Sequence, residues 1–187
     1  MVETANDMMR QGLSPSVSEV AETAGVSRST AYRYFPTQAV MIQAVVAETL
    51  GPILAWQSEL SDPGDRVAAL VEESFPSISK NATTFRAALK LSLENQIGST
   101  DPEENKSFAR GHRIELLERA LSPIRKTCSE EQVTRLSRAL SMIYGIEGLI
   151  VLKDICGIEG EDATDVARWA ARALVQAAMA ETSGSGD

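Results

Sequence analysis

The stretch that decides the fold is residues 16–35, SVSEVAETAGVSRSTAYRYF. Apolar spacing over residues 17–21 predicts one short helix, Gly25 predicts a tight turn, and Ser27 predicts the N-cap of a second helix. Two short helices joined by a glycine turn have the mechanics of a helix-turn-helix, whose second helix faces outward to enter the DNA major groove. An ordinary packed pair of helices, with its aromatic residues in the core, is the alternative.

The second helix of this pair carries side chains that suit DNA. Arginine can make a bidentate contact with guanine, serine and threonine exchange hydrogen bonds with several base edges, and tyrosine hydroxyls reach phosphates. The polar candidates on this helix are Arg28, Ser29, Thr30, Tyr32, Arg33 and Tyr34.

Residues 24–27 (AGVS) and 30–35 (TAYRYF) carry a specific resemblance. Through them, about residues 2–50 resemble the N-terminal DNA-binding domain of TetR-family transcriptional regulators. The resemblance implies an all-helical homodimer with one DNA-reading head on each protomer and a variable C-terminal domain that binds a small ligand. It also implies a set of DNA-contacting residues on the recognition helix and the helices beside it, namely Ser16, Ser18, Ser27, Arg28, Ser29, Thr30, Tyr32, Arg33, Tyr34 and Gln38.

Two features depart from the family pattern. The family usually has a lysine in the first turn of the fourth helix, where this chain reads Pro36-Thr37-Gln38. One phosphate contact is therefore predicted to be missing or reduced to a neutral hydrogen bond. The first helix is short and lacks a preceding basic arm, so we expect no minor-groove contact from such an arm.

The net charge limits what kind of DNA binder this chain can be. With 18 Lys and Arg against 26 Asp and Glu, the formal charge is −8. Residues 1–50 hold three arginines against five carboxylates, a net charge of −2. This balance excludes a general polyanion binder and predicts specific binding, with a salt slope no steeper than about −5 for a dimer.

Helix-start patterns recur along the rest of the chain, and the expected fold class is all-α with about nine helices. Capping-box patterns at Ser16, Asp101 and Ser129, with further N-caps at Asp62 and Asp162, mark the starts. The expected helices span about 2–12, 17–24, 28–35, 38–60, 63–79, 82–96, 103–122, 130–155 and 163–181. We expect a three-helix DNA-binding domain over 1–50, joined by a long fourth helix to a ligand-binding and dimerisation bundle over 51–182, and a disordered tail over 183–187.

Little in the sequence suggests catalysis or a cofactor. The single histidine, His112, has no metal-ligand spacing around it, and Cys128 and Cys156 are far apart with no CxxC pair. We expect no metal, no cofactor and no catalytic residues. The N-terminus lacks a signal-peptide pattern, and no apolar run approaches the about 18 residues of a membrane span, which predicts a cytoplasmic protein without a membrane partner.

The apolar residues after residue 50 have two possible uses. As the resemblance implies, some would line an effector cavity, although filling an ordinary core is the alternative for each: Trp56, Phe75, Phe85, Leu89, His112 and Leu116. The last two long helices carry an apolar stripe with small residues, which in the family forms a four-helix dimer interface, with an intramolecular core as the alternative. The candidates there are Leu140, Ile143, Ile150, Trp169, Ala173 and Ala177.

Together these features predict a TetR-like regulator, a homodimeric repressor that a small, largely apolar effector releases from a palindromic operator in double-stranded DNA. One alternative keeps the DNA-binding head but places it under the control of a protein partner. A helical enzyme is a remote alternative, because one histidine and no cofactor motif leave little for catalysis to use.

Overall fold

The computed structural model describes residues 1–98 and 112–184, and within these ranges every regular element is helical, which confirms the predicted all-α class. The helices are α1 (Val2–Arg10), α2 (Val17–Thr23), α3 (Arg28–Tyr34), α4 (Gln38–Leu54), α5 (Pro63–Lys80), α6 (Ala82–Gly98), α7 (His112–Ala120), a 3₁₀ turn (Ser122–Lys126), α8 (Glu130–Ile143), α9 (Ile146–Ile150) continued by a π-helical turn (Val151–Ile155), and α10 (Gly160–Gly184).

The chain divides into two compact units, and the first contains residues 1–52 together with the described residues 80–98. Its core is built by α1 to α4 and by Ala88 of α6. Thr84 of α6 also donates a hydrogen bond from Oγ1 to Oδ1 of Asn6 in α1 at 3.2 Å. Helix α6 therefore belongs with the N-terminal helices, whereas the expected domain boundary near residue 50 places it with the C-terminal domain.

The second unit contains residues 53–79 and the described residues 112–184. Helix α10 buries one face with a small or β-branched residue at roughly every fourth position, and it packs against α8. The small side chains allow the two helices to approach closely. The buried residues of that face are Ala163, Ala167, Ala171, Val175 and Ala178.

Several helix starts follow the predicted capping chemistry. Ser16 and Ser129 each form a complete capping box, with Glu19 and Gln132 respectively. Asp62 Oδ1 accepts the backbone N–H of Asp65 at 2.8 Å at the start of α5. Asp162 is not an N-cap, because α10 begins two residues earlier at Gly160. The box predicted at Asp101 lies outside the described residues.

Two predicted helices are too long. Helix α4 runs through Pro52 and ends at Leu54 instead of reaching residue 60, and the Leu54 carbonyl accepts a hydrogen bond from Arg119 in place of a further helical turn. The helix expected over 130–155 breaks at residues 144–145, because Gly145 adopts φ +135 and leaves helical geometry.

A 3₁₀ turn over Ser122–Lys126, which the sequence pattern did not predict, follows α7. The tail expected over 183–187 begins inside α10, which runs to Gly184, and its last three residues lie outside the described residues.

No single helix in the described ranges has the length and apolar character to cross a membrane, although the bent pair of α3 and α4, at 68°, meets those two criteria together.

Candidate nucleic-acid interface

The turn between α2 and α3 is shaped by local chemistry. Gly25 has φ +66, a left-handed conformation that favours glycine, and the Val26 N–H donates to the Ala21 carbonyl at 2.9 Å to close the turn. Ser27 then caps α3, accepting the Thr30 N–H on its Oγ at 3.3 Å. The glycine turn and the serine cap are both as the sequence predicts, and together they fix where α3 begins.

Helix α3 buries only Ala31 fully and leaves its polar side chains accessible. Thr30 is the exception among the candidates on this helix, since it is half-buried. Its Oγ1 accepts a hydrogen bond from Ser27 Oγ at 2.9 Å. Tyr34 is 63% exposed. The exposed candidates at the start of and along α3 are Ser27, Arg28, Ser29, Tyr32, Arg33 and Tyr34.

Two contacts organise the exposed aromatic residues. The Ser18 hydroxyl of α2 and the Tyr32 hydroxyl of α3 are 3.1 Å apart and share a hydrogen bond. The Arg33 guanidinium lies 5.1 Å from the centre of the Tyr34 ring, within cation–π range. Ser18 is thus brought to the recognition helix, and both tyrosines are held close to hydrogen-bonding or cationic groups.

The two arginines of α3 have no carboxylate partner among the described residues, although the chain as a whole is acidic. No carboxylate in the described part of the chain forms an ion pair with Arg28 or Arg33. Glu19 instead accepts the Ser16 backbone N–H at 2.7 Å, and the hydrogen bonds from Ser16 hold the pKa of this carboxyl below its ordinary value of 4.5. Glu19 is therefore occupied in capping α2, and the two arginines keep their charge available for phosphate or guanine.

Gln38 lies at the start of α4 and is engaged by the protein itself. Its side-chain amide nitrogen donates to the Pro15 carbonyl at 2.9 Å, with a longer contact to the Ser14 carbonyl at 3.5 Å. The amide ties the loop before α2 to α4. No local sequence pattern indicates this role, because the contact joins Gln38 to a loop 23 residues earlier in the chain.

The six residues predicted to line an effector cavity are divided between the two units. Phe85 and Leu89, on α6, belong to the first unit, and the other four belong to the second. Trp56, Phe75 and Leu116 are buried, while His112 is partly exposed with its Nδ1 3.7 Å from Glu115 Oε2. Phe75 lines a cleft of about 370 Å³ between α5, α9 and the start of α10, which also contains carboxylates and Arg168.

The six predicted dimer residues also differ in accessibility. Leu140 is only 1% exposed and packs in the core of its own unit, whereas Trp169 is 73% exposed. Ala173 and Ala177 are exposed as well, and Ile143 and Ile150 are half-buried. Exposed apolar residues that the helical pattern did not single out for this role accompany them: Met142, Val151, Ile155 and Val166.

Comparison with known proteins found a matching family model, a similar regulator and a similar solved structure. Residues 4–45 match the family model described as bacterial regulatory proteins, tetR family. The chain is 29% identical over 139 residues to the HTH-type transcriptional regulator BetI of Rhizobium meliloti (strain 1021), a match that covers 72% of this chain and 66% of the relative. A crystal structure of a TetR transcriptional regulator from Rhodococcus sp. RHA1 superposes with a TM-score of 0.66 at 19% identity, covering 93% of this chain and 92% of that one.

At 19% identity, the likeness to the solved structure shows the fold alone. The segment that matches the family model contains the whole of α2, the turn and α3. Both the family and the curated relative are regulators rather than enzymes. Over residues 4–45 the chain is similar to the tetR family of bacterial regulatory proteins, and over 139 residues it is similar to an HTH-type transcriptional regulator.

Proposed function

We propose that this chain is a homodimeric repressor that binds a palindromic operator through α3 and is released from it by a small effector. The observation that carries the DNA-binding part is the accessibility of α3: its polar residues other than half-buried Thr30 are exposed, and its two arginines have no described carboxylate partner. In this proposal the protein acts in the cytoplasm, where it meets its operator.

In this proposal the recognition helix of each protomer enters the major groove. Two successive major grooves on one side of DNA are about 34–36 Å apart, so a two-fold symmetric dimer selects two inverted half-sites at that spacing. Arg28 at the start of α3 suits a bidentate contact with guanine, while the exposed hydroxyl of Tyr34 suits a phosphate. Serine hydroxyls at Ser16, Ser18, Ser27 and Ser29 and the Thr30 hydroxyl would supply further hydrogen bonds.

Selection of bound DNA from a random pool tests the operator directly. We expect an enriched palindrome, and we expect Arg28→Ala and Tyr34→Ala each to weaken binding to it by about tenfold, since a good base or phosphate contact contributes about 1–3 kcal/mol. Lys126→Ala, in the second unit, removes the same charge as Arg28→Ala and serves as its control. Recovery of no palindrome would remove the DNA-binding proposal.

A second surface supports the dimer. The apolar face, defined here as Met142, Val151, Ile155, Val166 and Trp169, consists of large side chains that are 42–78% exposed on α8, the π-helical turn and α10. A contiguous exposed apolar patch is typical of a protein–protein interface, and in this proposal the five side chains form one. The small Ala173 and Ala177 on the same α10 would let a second copy approach closely. Buried Leu140 is left out of this surface.

Sedimentation of a charge variant tests the apolar face. A glutamate in place of Trp169 would have to be buried without a partner in a dimer, so we expect Trp169→Glu to shift the protein to monomer at micromolar concentration. Leu93→Glu introduces the same charge at a 50% exposed leucine of α6 and is expected to leave the dimer intact. A dimeric Trp169→Glu variant would show that the interface lies elsewhere.

The effector part of the proposal is supported by the family resemblance and by the cleft that Phe75 lines. An effector lowers operator affinity only by its preference for the conformation that does not bind DNA. A thermal-shift screen with apolar and charged small molecules tests this part, with operator release as the second readout. If no compound both stabilises the protein and releases DNA, control by a protein partner becomes the better hypothesis.

A further inference from the structure

Two arginines of the second unit hold the segment that connects α4 to α5. Arg66 of α5 is only 8% exposed, and its guanidinium donates to four backbone carbonyls. Two of these belong to the connecting segment, at Ser58 and at Leu60, the latter at 3.0 Å. The other two are the last carbonyls of α7, at Arg119 (3.1 Å) and Ala120 (2.9 Å).

Arg119 makes a matching set of contacts. Its Nη1 donates to the Leu54 carbonyl at 2.8 Å and to the Trp56 carbonyl at 3.1 Å. Leu54 is the last residue of α4, so Arg119 of α7 caps α4 in the same way that Arg66 of α5 caps α7. A cation at a helix C-terminus is favourable because it meets the unpaired carbonyls and the negative end of the helix dipole.

In the part of the chain that the structure describes, the positive charges of Arg66 and Arg119 are balanced only by the dipoles of backbone carbonyls. Their stability therefore depends on the positions of those carbonyls. No carboxylate in the described ranges pairs with Arg66 or Arg119, so the buried Arg66 cation depends on carbonyls that must all be in place. The Arg66 guanidinium also lies 5.8 Å from the ring centre of Trp56, a residue only 4% exposed. Yet the Trp56 indole N–H has no acceptor among the described residues, which is a cost of holding the segment closed.

The closed geometry therefore combines six hydrogen bonds from Arg66 and Arg119 to backbone carbonyls with one buried N–H, that of Trp56, which has no acceptor among the described residues. Loss of either guanidinium leaves carbonyls of residues 54–60 without a donor. The hydrogen bonds of the other arginine to the same segment are then weakened. The segment is the direct continuation of α4, the helix that starts at Gln38 immediately after the recognition helix and its short turn. A change in where α4 ends therefore acts on a helix that the operator-binding unit also uses.

We propose that Arg66 and Arg119 form a latch on the carbonyls of residues 54–60, and that the closed latch favours the operator-binding conformation. The two arginines are positioning residues that touch no DNA. The inference rests on the proposed operator binding and adds to it a named control element. Opening the latch lowers operator affinity, because only the fraction of molecules in the competent conformation binds.

Arg119→Ala tests the latch, because Arg119 is exposed and its loss removes two hydrogen bonds without leaving a cavity in the core. Arg135→Ala removes another exposed arginine, which pairs with Glu181, and is the matched control. Amide hydrogen exchange over residues 54–60, the melting temperature and the affinity for the selected operator are measured for each full-length variant. Arg119→Lys, which keeps the charge but loses the forked geometry, gives a milder second variant.

The expected result is faster exchange over residues 54–60 in Arg119→Ala, an operator affinity lower by about fivefold or more, and a melting temperature close to that of Arg135→Ala. Arg119→Lys should fall between Arg119→Ala and the wild type in both exchange and affinity. Unchanged exchange would show that Arg119 does not hold the segment, and faster exchange with operator affinity within twofold of wild type would make it merely structural. Either outcome overturns the latch alone, whereas failure of the wild-type protein to bind any operator would overturn the proposed function as well.

Discussion

Gly145 stands where the backbone and the space around it both require glycine. Its φ of +135 is strained for any other residue, and a Cβ would lie 2.5 Å from Nη2 of Arg113. That guanidinium has little freedom to move, because it donates to the Ser141 carbonyl at 2.9 Å and pairs with Glu147. The break between α8 and α9 therefore depends on one missing side chain.

Gly145→Ala is expected to lower the free energy of unfolding by about 2–4 kcal/mol, the sum of backbone strain and overpacking. Gly157→Ala is its control, because Gly157 has a positive φ of +71 but no atom within 4 Å of its Cβ position. Backbone strain alone should cost this control only about 1–2 kcal/mol. Urea unfolding of both variants measures the difference, and equal losses would show that the contact with Arg113 is readily relieved.

Tyr144, the neighbour of Gly145, has its hydroxyl buried and donates to Ser74 Oγ at 2.8 Å. Burial raises the pKa of Tyr144 to about 12, above its ordinary value of 10. Because the folded-state pKa is raised, the neutral hydroxyl stabilises the fold fully below pH 10, and this contribution is lost as the pH rises from 10 towards 12.

Tyr144→Phe is therefore expected to destabilise the protein by about 1–2 kcal/mol at pH 8, since it leaves the buried Ser74 hydroxyl without its partner. The difference in unfolding free energy between wild type and variant should then shrink as the pH is raised above 10. Urea unfolding at several pH values up to 11 makes the comparison, with Ser74→Ala in the Tyr144→Phe background showing whether the hydroxyl pair accounts for the loss. A difference that stays constant with pH would contradict the raised pKa.

At the scale of elements, the sequence predicts helices well where the signal is local. The cap at Ser16, the turn at Gly25 and the cap at Ser27 depend on side chains within four residues of the groups they satisfy, so their pattern is visible in the chain. The break at Gly145 is different, because the apolar spacing on either side of it is continuous. Arg113, more than thirty residues away along the chain, occupies the space that a Cβ at position 145 would need, and no local pattern indicates that contact.

The same reasoning explains what could be predicted of the candidate site. The polar character of Arg28 and Tyr34 marks both as exposed residues, although each lies three positions from buried Ala31 and therefore close to its face of the helix. The engagement of Gln38 with the Pro15 carbonyl, and the union of α6 with the N-terminal helices, depend on tertiary contacts between segments that are distant in sequence. Periodicity assigns a residue to a buried or exposed face but does not identify which other helix covers that face.

At the scale of the whole molecule, the charge of −8 predicts how binding responds to salt. Each phosphate that a cation neutralises contributes about −0.9 to the slope of log affinity against log salt. The first fifty residues hold three arginines, and Gln38 stands where the family usually has a lysine. The proposed dimer would bring at most six arginines to DNA, so the slope should be no steeper than about −5.

Gln38→Lys sharpens this prediction because it adds one cation per protomer at the start of α4. If that position faces a phosphate, the slope should steepen by about −2 for the dimer and affinity at low salt should rise. Thr134→Lys adds the same charge on an exposed position of α8 and should leave the slope unchanged. Fluorescence anisotropy on the selected operator between low and moderate salt measures all three slopes. A wild-type slope near −10 would mean that residues outside the N-terminal arginines bind phosphate, and the restriction of DNA binding to α3 and its neighbours would then be wrong.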